Sequence, residues 1–442
     1  MESTHCIRPV PGLAAVVTAM ATAMAMALTV MPATAQVETP DEPPAWRFSG
    51  YYTLGHSALQ SSAARHFARD QSQLQPSGWE QDSRLGLQLD GRLSPTLSAT
   101  VQGVIRHHVP STPLSQRIEW AFLRWTPSEA WQIRLGRTSP DLYLYADVRS
   151  VGIAYPWVRP SQEFYAWMPL QSMDGVDATR LWSRGDANWR LKLSFGHAST
   201  KLAAQDSGVS AQGKLHAIRA ATLTRETPTW TVKATYLKAR LDLRDASYLV
   251  ALGQGLAQLQ ALTLPVLPVL AAEAGQLRQG LGVNSDVRYL SLGTQHDLND
   301  WLVTAEWSAT LGYTRRQYLS IGHRLGAFTP FVLAGQSRLI EPAYTAPGHW
   351  AAQLAPLVGS VAAAQAVGLG AAAAGASNLG RISQRSLGIG VRWDLRANLA
   401  LKLQHDHVQI QADGRALWAM RPGYDNADFR ARVWSLALDG SF

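Results

Sequence analysis

Hydrophobic residues recur at every second position along most of this 442-residue chain. In the stretch SRLGLQLDGRL, for example, leucines occupy positions 85, 87 and 89. A two-residue period is typical of a β-strand with one apolar face. On this pattern the sequence predicts about sixteen strands, at residues 46–57, 83–92, 97–109, 116–126, 131–139, 174–184, 189–199, 213–225, 230–243, 286–298, 301–311, 315–325, 328–340, 381–394, 399–410 and 430–442.

The connections between these strands alternate in length. Short turns such as RGDAN and DLND are interleaved with mostly longer segments. About ten alternating residues is the length of a tilted strand that crosses a membrane, and an even strand count with alternating turns and loops is typical of transmembrane barrels. The sequence therefore predicts an all-β fold, a transmembrane antiparallel β-barrel over residues 46–442.

The tryptophans agree with this arrangement. Packing in a core is the simpler interpretation of a tryptophan, but a repeated position at one end of the strands favours a girdle at the boundary between water and lipid. Six of them fall at predicted strand ends beside the short turns: Trp46, Trp125, Trp131, Trp189, Trp230 and Trp301.

The N-terminus predicts export from the cytoplasm. An apolar run follows Arg8 and ends in Ala33-Thr34-Ala35, a pattern that indicates a signal peptide at residues 1–35 and leaves residues 36–45 as a periplasmic tether. The only cysteine, Cys6, lies in that peptide, so the exported chain forms no disulfide.

Charged residues make up only 16% of the chain, and the net charge is +8. Export argues against nucleic acid as the partner of this basic chain.

Two long connections are unusually apolar. No charged residue occurs from Ala246 to Ala272, which raises the question of a membrane-spanning helix. Pro265 and Pro268 interrupt the run, however, and proline breaks a helix interior. We expect two short helices there instead, and we expect the Ala-rich segment 346–378 to pack against them. The sequence thus predicts apolar, partly helical extracellular loops at 244–285 and 341–380.

Taken together, these features resemble a Gram-negative outer-membrane porin of the sixteen-stranded superfamily. The resemblance covers nearly the whole exported chain and includes the alternating last strand, RVWSLALDGSF, which ends in Phe442. It implies a location in the cell outer membrane, contact with lipid and lipopolysaccharide, a homotrimer and a water-filled channel. It also implies that the barrel-insertion machinery recognises Phe442 and that the third long loop, residues 139–173, folds inward and narrows the pore.

Strand alternation assigns the polar side chains opposite the apolar face to the lumen. Basic residues outnumber acidic ones in this set, and rings of fixed charge set channel selectivity, so a mild anion preference is expected; the alternative is that these are ordinary solvated wall residues. The predicted lumen residues are Arg84, Gln88, Asp90, Arg106, Glu119, Arg134, Lys192, Lys233, Glu306, Arg316, Arg324, Arg392, Asp394, Lys402 and Asp406.

The candidate constriction loop at 139–173 is rich in both aromatic and charged residues. So many aromatic side chains predict a packed rather than a free loop, since large exposed apolar patches mark contact surfaces. Arg149 and Arg159, with Asp147 and Glu163, are the candidate constriction residues. The alternative is that these charges pair with the wall and hold the loop in place.

The sequence offers little for catalysis, metal or cofactor binding. His405 and His407 share one face of a strand while Asp406 points to the other, so the three residues cannot close one metal site. His56 and Ser57 likewise face opposite sides, and no recognised hydrolase or phosphate-loop motif occurs. We therefore expect a protein that is not an enzyme and holds no cofactor or metal.

Three functions remain open at this point. The first is passive diffusion of small hydrophilic solutes through a water-filled barrel. The second is a channel for amphipathic or hydrophobic solutes gated by the two apolar loops. The third is a plugged barrel that acts as a surface-binding or structural protein.

Overall fold

A computed structural model describes residues 45–67, 77–107, 117–166, 172–203, 210–244, 246–424 and 427–442. The predicted signal peptide and nearly all of the predicted tether lie outside these residues. The strands are β1 (Trp46–Gln60), β2 (Ala64–Phe67), β3 (Ser77–Gly78), β4 (Arg84–Arg92), β5 (Leu97–Arg106), β6 (Ile118–Ser128), β7 (Trp131–Thr138), β8 (Met173–Arg184), β9 (Ala187–Ala203), β10 (Ser210–Glu226), β11 (Trp230–Arg244), β12 (Asn284–Leu298), β13 (Trp301–Thr310), β14 (Thr314–His323), β15 (Phe328–Leu339), β16 (Ile382–Arg396), β17 (Leu399–Arg415), β18 (Trp418–Met420) and β19 (Phe429–Ser441).

Sixteen long strands form a closed antiparallel barrel, which confirms the predicted fold. Consecutive long strands pair with each other, and the last strand, β19, returns to pair with β1. Several strands run further than their apolar pattern; β17, for instance, extends to Arg415 instead of residue 410. The added residues 411–415 are mostly polar, and among them Arg415 is paired with Ile382, so hydrophobic alternation gives no signal there.

The two faces of the barrel differ in chemistry. Outward side chains form an apolar band, with 63% of Leu135 and 52% of Leu292 exposed. Inward side chains are polar and buried, such as Thr53, Asp177 and Lys402. Because side chains alternate along each strand, a two-residue sequence period becomes an apolar outside and a polar inside.

Aromatic rings surround the barrel at its short-turn end. Trp46, Trp125 and Trp301 are each about half exposed there, and Trp301 stacks on His323 of the neighbouring strand at 4.4 Å between ring centroids. Trp189 stacks on Trp182 at 6.0 Å. The predicted girdle is thus present as outward-facing rings.

Strand pairing is irregular near the seam between β1 and β19, where the barrel closes. Strand β3 continues the line of β4 along β1, and residues 79–83 bulge out of the pairing between them. This bulge turns Asp82 inward over Gly55, where a Cβ atom on the glycine would collide with the aspartate. The short strands β2 and β18 form a separate two-stranded sheet at the long-loop end.

Five α-helices occur in the described loops: α1 (Gln162–Tyr165), α2 (Ser247–Thr263), α3 (Pro268–Gly280), α4 (Trp350–Val358) and α5 (Ser360–Asn378). The chain breaks between α2 and α3 at Pro265, and Pro268 begins α3, where a proline is tolerated because its missing N–H would be unpaired anyway. The expectation of two short helices separated at the prolines agrees with the structure.

The four long helices pack together into what we call the helical cap, residues 247–280 and 350–378. Leu256, Leu270, Trp350 and Ala373 are fully buried in one apolar cluster that both segments share. Within the described residues, α5 is long and apolar enough to cross a membrane by length and composition. Its buried side chains pack against the other cap helices.

Candidate functional site: a loop folded across the lumen

The third long connection enters the barrel instead of lying above it. We call its described residues 139–166 the lumen loop. It runs through turns to a short 3-10 helix at Gly152–Ala154 and then to α1. Its aromatic side chains pack on each other and on Tyr289, Tyr318 and Phe331 of the wall. The loop is therefore packed against the inner face of the barrel.

The first anchor of the loop lies near its start. Asp141 forms ion pairs with Lys233 and, at 3.6 Å, with Lys192. The backbone also takes part, because Ser291 donates a hydrogen bond to the Leu142 carbonyl at 2.7 Å. Strands β9, β11 and β12 thereby hold one end of the loop.

Glu306 on β13 is a second anchor, level with Lys233 and two strands away from it. It is 3% exposed and accepts the backbone N–H of Leu144 at 2.8 Å and the Tyr318 hydroxyl at 2.7 Å. The Tyr165 hydroxyl also donates to it. A buried carboxylate is costly unless hydrogen-bonded, and here three donors from loop and wall satisfy it.

A third anchor holds the 3-10 helix. Lys402, fully buried, donates to the carbonyls of Gly152 at 2.6 Å and Trp157 at 2.9 Å and pairs with Asp439 at 2.8 Å. Gly152 lies so close to Asp439 and Thr53 that a Cβ atom would collide with both. Only glycine fits where the loop backbone touches the wall.

The fourth anchor, which we call the arginine latch, consists of Arg159, Asp82, Ser57, Ser435 and Asp406. The Arg159 guanidinium takes both Asp82 oxygens, at 3.0 and 2.6 Å. It donates to the hydroxyls of Ser57 at 2.5 Å and Ser435 at 2.6 Å, and Asp406 lies at 3.4 Å. The planar fork of arginine suits such bidentate pairing.

Electrostatics explain why the latch stays charged. Burial alone would raise the pKa of Asp82, but the charge and hydrogen bonds of Arg159 outweigh burial and hold that pKa below its ordinary value of 3.8. The latch joins the loop to β1 and β19, so it spans the seam where the barrel closes.

Together these anchors leave little free space across the middle of the barrel. Inward side chains that a wide water-filled pore would leave wet are fully buried, including Asp177, Ser308 and Asp439. A cavity beside the latch measures about 20 Å³, which is room for about one water molecule. Lumen residues nearer the short turns, such as Gln88 and Arg124, are only half-buried.

The structure places the predicted lumen residues on the inner face but mostly in pairs. Arg134 binds Asp177 at 2.9 Å, and Arg392 binds Asp394 at 2.7 Å. Arg84 donates to the Tyr155 hydroxyl at 2.8 Å, and Arg106 lies opposite Arg84 in register. Arg324 lies at the short-turn rim, 2.6 Å from Asp297.

The candidate constriction residues lie in the loop but not in one group. Arg159 forms the latch, while Glu163 is buried and accepts from Gln384 at 2.8 Å and Ser161 at 2.9 Å. The Ser150 hydroxyl donates to Glu119 at 3.3 Å. Arg149 and Asp147 are half-buried, and the Arg149 carbonyl accepts the Tyr155 hydroxyl at 3.1 Å.

Sequence reasoning missed four acids that complete these pairs: Asp82, Asp177, Asp297 and Asp439. The alternation that assigned Lys402 to the lumen applies equally to Asp177 and Asp439, so that signal was present. Asp82 faces inward because of the bulge at 79–83, which hydrophobic periodicity cannot indicate.

The histidine positions follow strand alternation. His405 faces outward and stacks on Trp434 at 4.1 Å, whereas Asp406 points inward to the latch. His56 lies near Ser77 and Trp79, away from the inward Ser57. Within the described residues no group of three or more His, Cys, Asp or Glu side chains is arranged to hold a metal ion.

Comparison with solved structures finds barrels of the same kind. The chain matches an anion-selective porin from Comamonas acidovorans with 10% identity and a TM-score of 0.49, over 90% of this chain and 99% of that one. The strand pairing of this chain shows a closed sixteen-stranded antiparallel β-barrel. Two further matches are the outer-membrane channel DcaP of Acinetobacter baumannii (9% identity, TM-score 0.47, 90% and 97% covered) and OmpF of Salmonella typhi in complex with daunomycin (11%, 0.46, 90% and 97%).

No protein-family model and no curated protein matches the sequence. The porin-like barrel of this chain therefore rests on its own strand pairing: antiparallel neighbours throughout, closure of β19 on β1 and a third loop inside the lumen.

Proposed function

We propose that this protein is an outer-membrane channel for small hydrophilic solutes, with a narrow path set by the lumen loop. The observation that supports it is the contrast between the two faces of the wall. An apolar outer band bounded by aromatic rings fits a lipid bilayer, and an inner face of charged and hydroxyl side chains fits water and polar solutes. The predicted export signal gives the same location.

Charge in the lumen supports a mild anion preference. Asp177, Asp439 and Asp82 form ion pairs with arginine or lysine, so their carboxylates attract a passing cation less strongly. Arg84 is hydrogen-bonded to a neutral hydroxyl, and Arg124 lies 5.6 Å from the Phe122 ring. Neither of these two contacts is with a carboxylate, but Arg84 also lies in the field of Asp82 and Asp439, so the lumen charge supports only a mild preference for anions.

Planar-bilayer recording and liposome swelling test this function on the purified full-length protein. We expect small stepwise conductances, swelling with small sugars or amino acids but not with larger oligosaccharides, and a reversal potential of anion sign in a salt gradient. A clear cation preference would contradict the selectivity, and an inert wild type would contradict open diffusion.

A plugged barrel with a structural or surface-binding role is the second candidate. Burial of the inner wall around the loop favours it, since Lys402 and Asp439 have no exposed surface. The two functions separate when the loop is released. A plugged barrel conducts only in variants that loosen the loop, whereas a narrow channel already conducts in the wild type.

The homotrimer implied by the resemblance stays a prediction. Strands β4 to β7 span only 8 to 11 residues and carry exposed apolar side chains such as Leu123 and Leu135. We propose this part of the wall, where four consecutive strands are short, as the face for contact between copies. Mass measurement of the protein in mild detergent, with crosslinking between cysteines introduced on that face, tests it.

A further inference from the structure

Three successive inward positions of β6 carry two aromatic rings and a cation. Trp120 and Phe122 pack together at 6.4 Å between ring centroids, and the Arg124 guanidinium lies 5.6 Å from the Phe122 ring. The intervening Leu123 is 45% exposed on the outer face, so its neighbours Phe122 and Arg124 point into the lumen. Trp120 pairs with the buried, inward Gln102 and shares its face. We call Trp120, Phe122 and Arg124 the β6 triplet.

Arg124 makes no ion pair with the acids around it. Asp90 and Asp177 are close enough to act on its charge. Asp177, however, is bound by two nitrogens of Arg134 at 2.9 to 3.1 Å, and Asp90 accepts hydrogen bonds from three other side chains at 2.7 to 3.4 Å. Among the residues that the structure describes, none forms a hydrogen bond with Arg124, and its Nε atom is buried without a partner. The donors of Arg124 therefore remain available to an anion in the lumen.

Arg134 shows the contrast on the neighbouring strand. It lies directly opposite Arg124, and its guanidinium is 5.1 Å from the same Phe122 ring. Arg134 is only 9% exposed and is fixed by Asp177, and the lumen loop adds the nearby charge of Asp147. Arg124 is half-buried. Both arginines thus hold the Phe122 ring, but only Arg124 keeps its fork open to the water of the lumen.

The β6 triplet lies on the short-turn side of the lumen loop. Glu119 accepts the Ser150 hydroxyl of the loop at 3.3 Å, so contact between the loop and β6 reaches down to the residue before Trp120. Trp125, the residue after Arg124, belongs to the aromatic girdle at the short-turn end. Trp120 and Arg124 are both half-buried. A solute can therefore reach the triplet from the short-turn end without passing the loop.

We propose that the β6 triplet binds aromatic carboxylates whose acid group stands on a short side chain. The Arg124 fork takes the carboxylate in two hydrogen bonds, and the solute ring packs against the indole of Trp120. Inward positions on one strand follow each other at about 7 Å, so the step from Arg124 across Phe122 to Trp120 suits an arylpropionate and is too long for acetate. The inference rests on the proposed channel function and deepens it by naming a class of solute.

Saturation-transfer NMR on the detergent-purified full-length protein tests this site. The probes are 3-phenylpropionate, 3-cyclohexylpropionate, 3-phenylpropan-1-ol and acetate, and protein-free micelles give the blank. We expect 3-phenylpropionate to bind best. Its Kd should rise roughly tenfold or more in Arg124→Gln and less in Arg124→Lys, which keeps the charge but not the fork.

Two further variants separate the ring from the charge. Trp120→Leu keeps an apolar side chain but removes the indole, so it should weaken binding of 3-phenylpropionate and leave that of 3-cyclohexylpropionate unchanged. Arg180→Gln is the matched control, because Arg180 lies 5.2 Å from the Trp131 ring on the outer face and should not affect binding. Heat-modifiable migration on gels shows that each variant folds.

Several results would overturn the proposal. Equal binding of the cyclohexyl acid to the wild type would mean that the ring is not recognised as aromatic, and equal binding of the alcohol would mean that the carboxylate is not recognised. An equal loss in Arg180→Gln would indicate diffuse charge. Binding from the short-turn end does not require a path past the loop. A protein that binds the acid without conducting would contradict the channel function alone, and one that conducts without binding it would contradict this site alone.

Discussion

The lumen loop and the helical cap are both long-loop segments, yet they are held in opposite ways. The loop is anchored to the wall by ion pairs and hydrogen bonds, with Arg159, Lys402 and Glu306 each making several. The cap is held by apolar packing between its own helices, around Leu256 and Trp350. The position of the loop is determined by its contacts with the barrel interior, whereas the packing of the cap is determined largely by contacts among its own helices.

This difference indicates which substitutions would destabilise each segment. Removing one partner of a buried ion pair leaves an uncompensated charge, so the loop depends on a few residues. Apolar packing is spread over many contacts, so the cap should lose stability gradually.

The largest effect is expected from the arginine latch. Arg159→Ala leaves Asp82 buried without its cation, which should cost about 3 to 5 kcal/mol of loop docking. We expect a several-fold rise in single-channel conductance in planar bilayers. Arg184→Ala, at an exposed arginine beside a short turn, is the control and should conduct as wild type. Unchanged conductance in Arg159→Ala would show that the latch does not hold the loop closed.

Deletion of the first cap hairpin should have a smaller effect on conductance. Replacing residues 247–280 with a short Gly-Ser linker leaves the strand pairing of β11 and β12 intact. We expect a barrel that still shows heat-modifiable migration on gels, with a conductance change smaller than that of Arg159→Ala. A larger change than in the latch variant would make the cap, not the loop, the main barrier.

Within the cap, Leu256→Ala should act on stability alone. Leu256 is fully buried, and truncating such a leucine costs about 2 to 5 kcal/mol. We expect faster proteolytic cleavage in the cap at unchanged conductance. Leu262→Ala on the same helix is the matched control, because Leu262 is 75% exposed. Equal protease sensitivity of the two variants would contradict the packed cap.

The smallest effect is expected from pH. Because the pKa of Asp82 in the folded loop lies below its ordinary value, its contribution to loop docking is complete above that ordinary value and is lost as pH falls through the folded pKa. The part of the conductance that depends on Asp82 should therefore stay unchanged down to about pH 5 and rise only below about pH 4. Asp82→Asn should remove part of that rise; a midpoint near neutral pH would implicate another group.

The sequence alone predicts the barrel well because the strands of its wall follow one local pattern, the alternation of apolar and polar residues. Alternation located all sixteen long strands and assigned Glu306, Lys402 and Asp406 to the inner face. Proline placement likewise predicted the break between α2 and α3. These features depend on neighbours in the chain, which a sequence displays directly.

Local patterns of this kind could not predict the contacts of the lumen loop, because the partners lie far apart in the sequence. Arg159 meets Asp82, Ser57 and Ser435, which are separated from it by 77, 102 and 276 positions. Asp82 reaches that point only through an irregular bulge. Which charges face water and which are paired is decided by the folded path of the loop, so the lumen charges counted from sequence included several that are neutralised by partners.

The position of Ser435 has a consequence for the order of assembly. It lies on the last strand, and the latch joins it to Ser57 on the first. A chain that has not yet brought its final strand to the first one cannot complete the latch. The latch can therefore make its full set of contacts only once the ring is shut, so the last hydrogen bonds of the interior depend on closure of the wall.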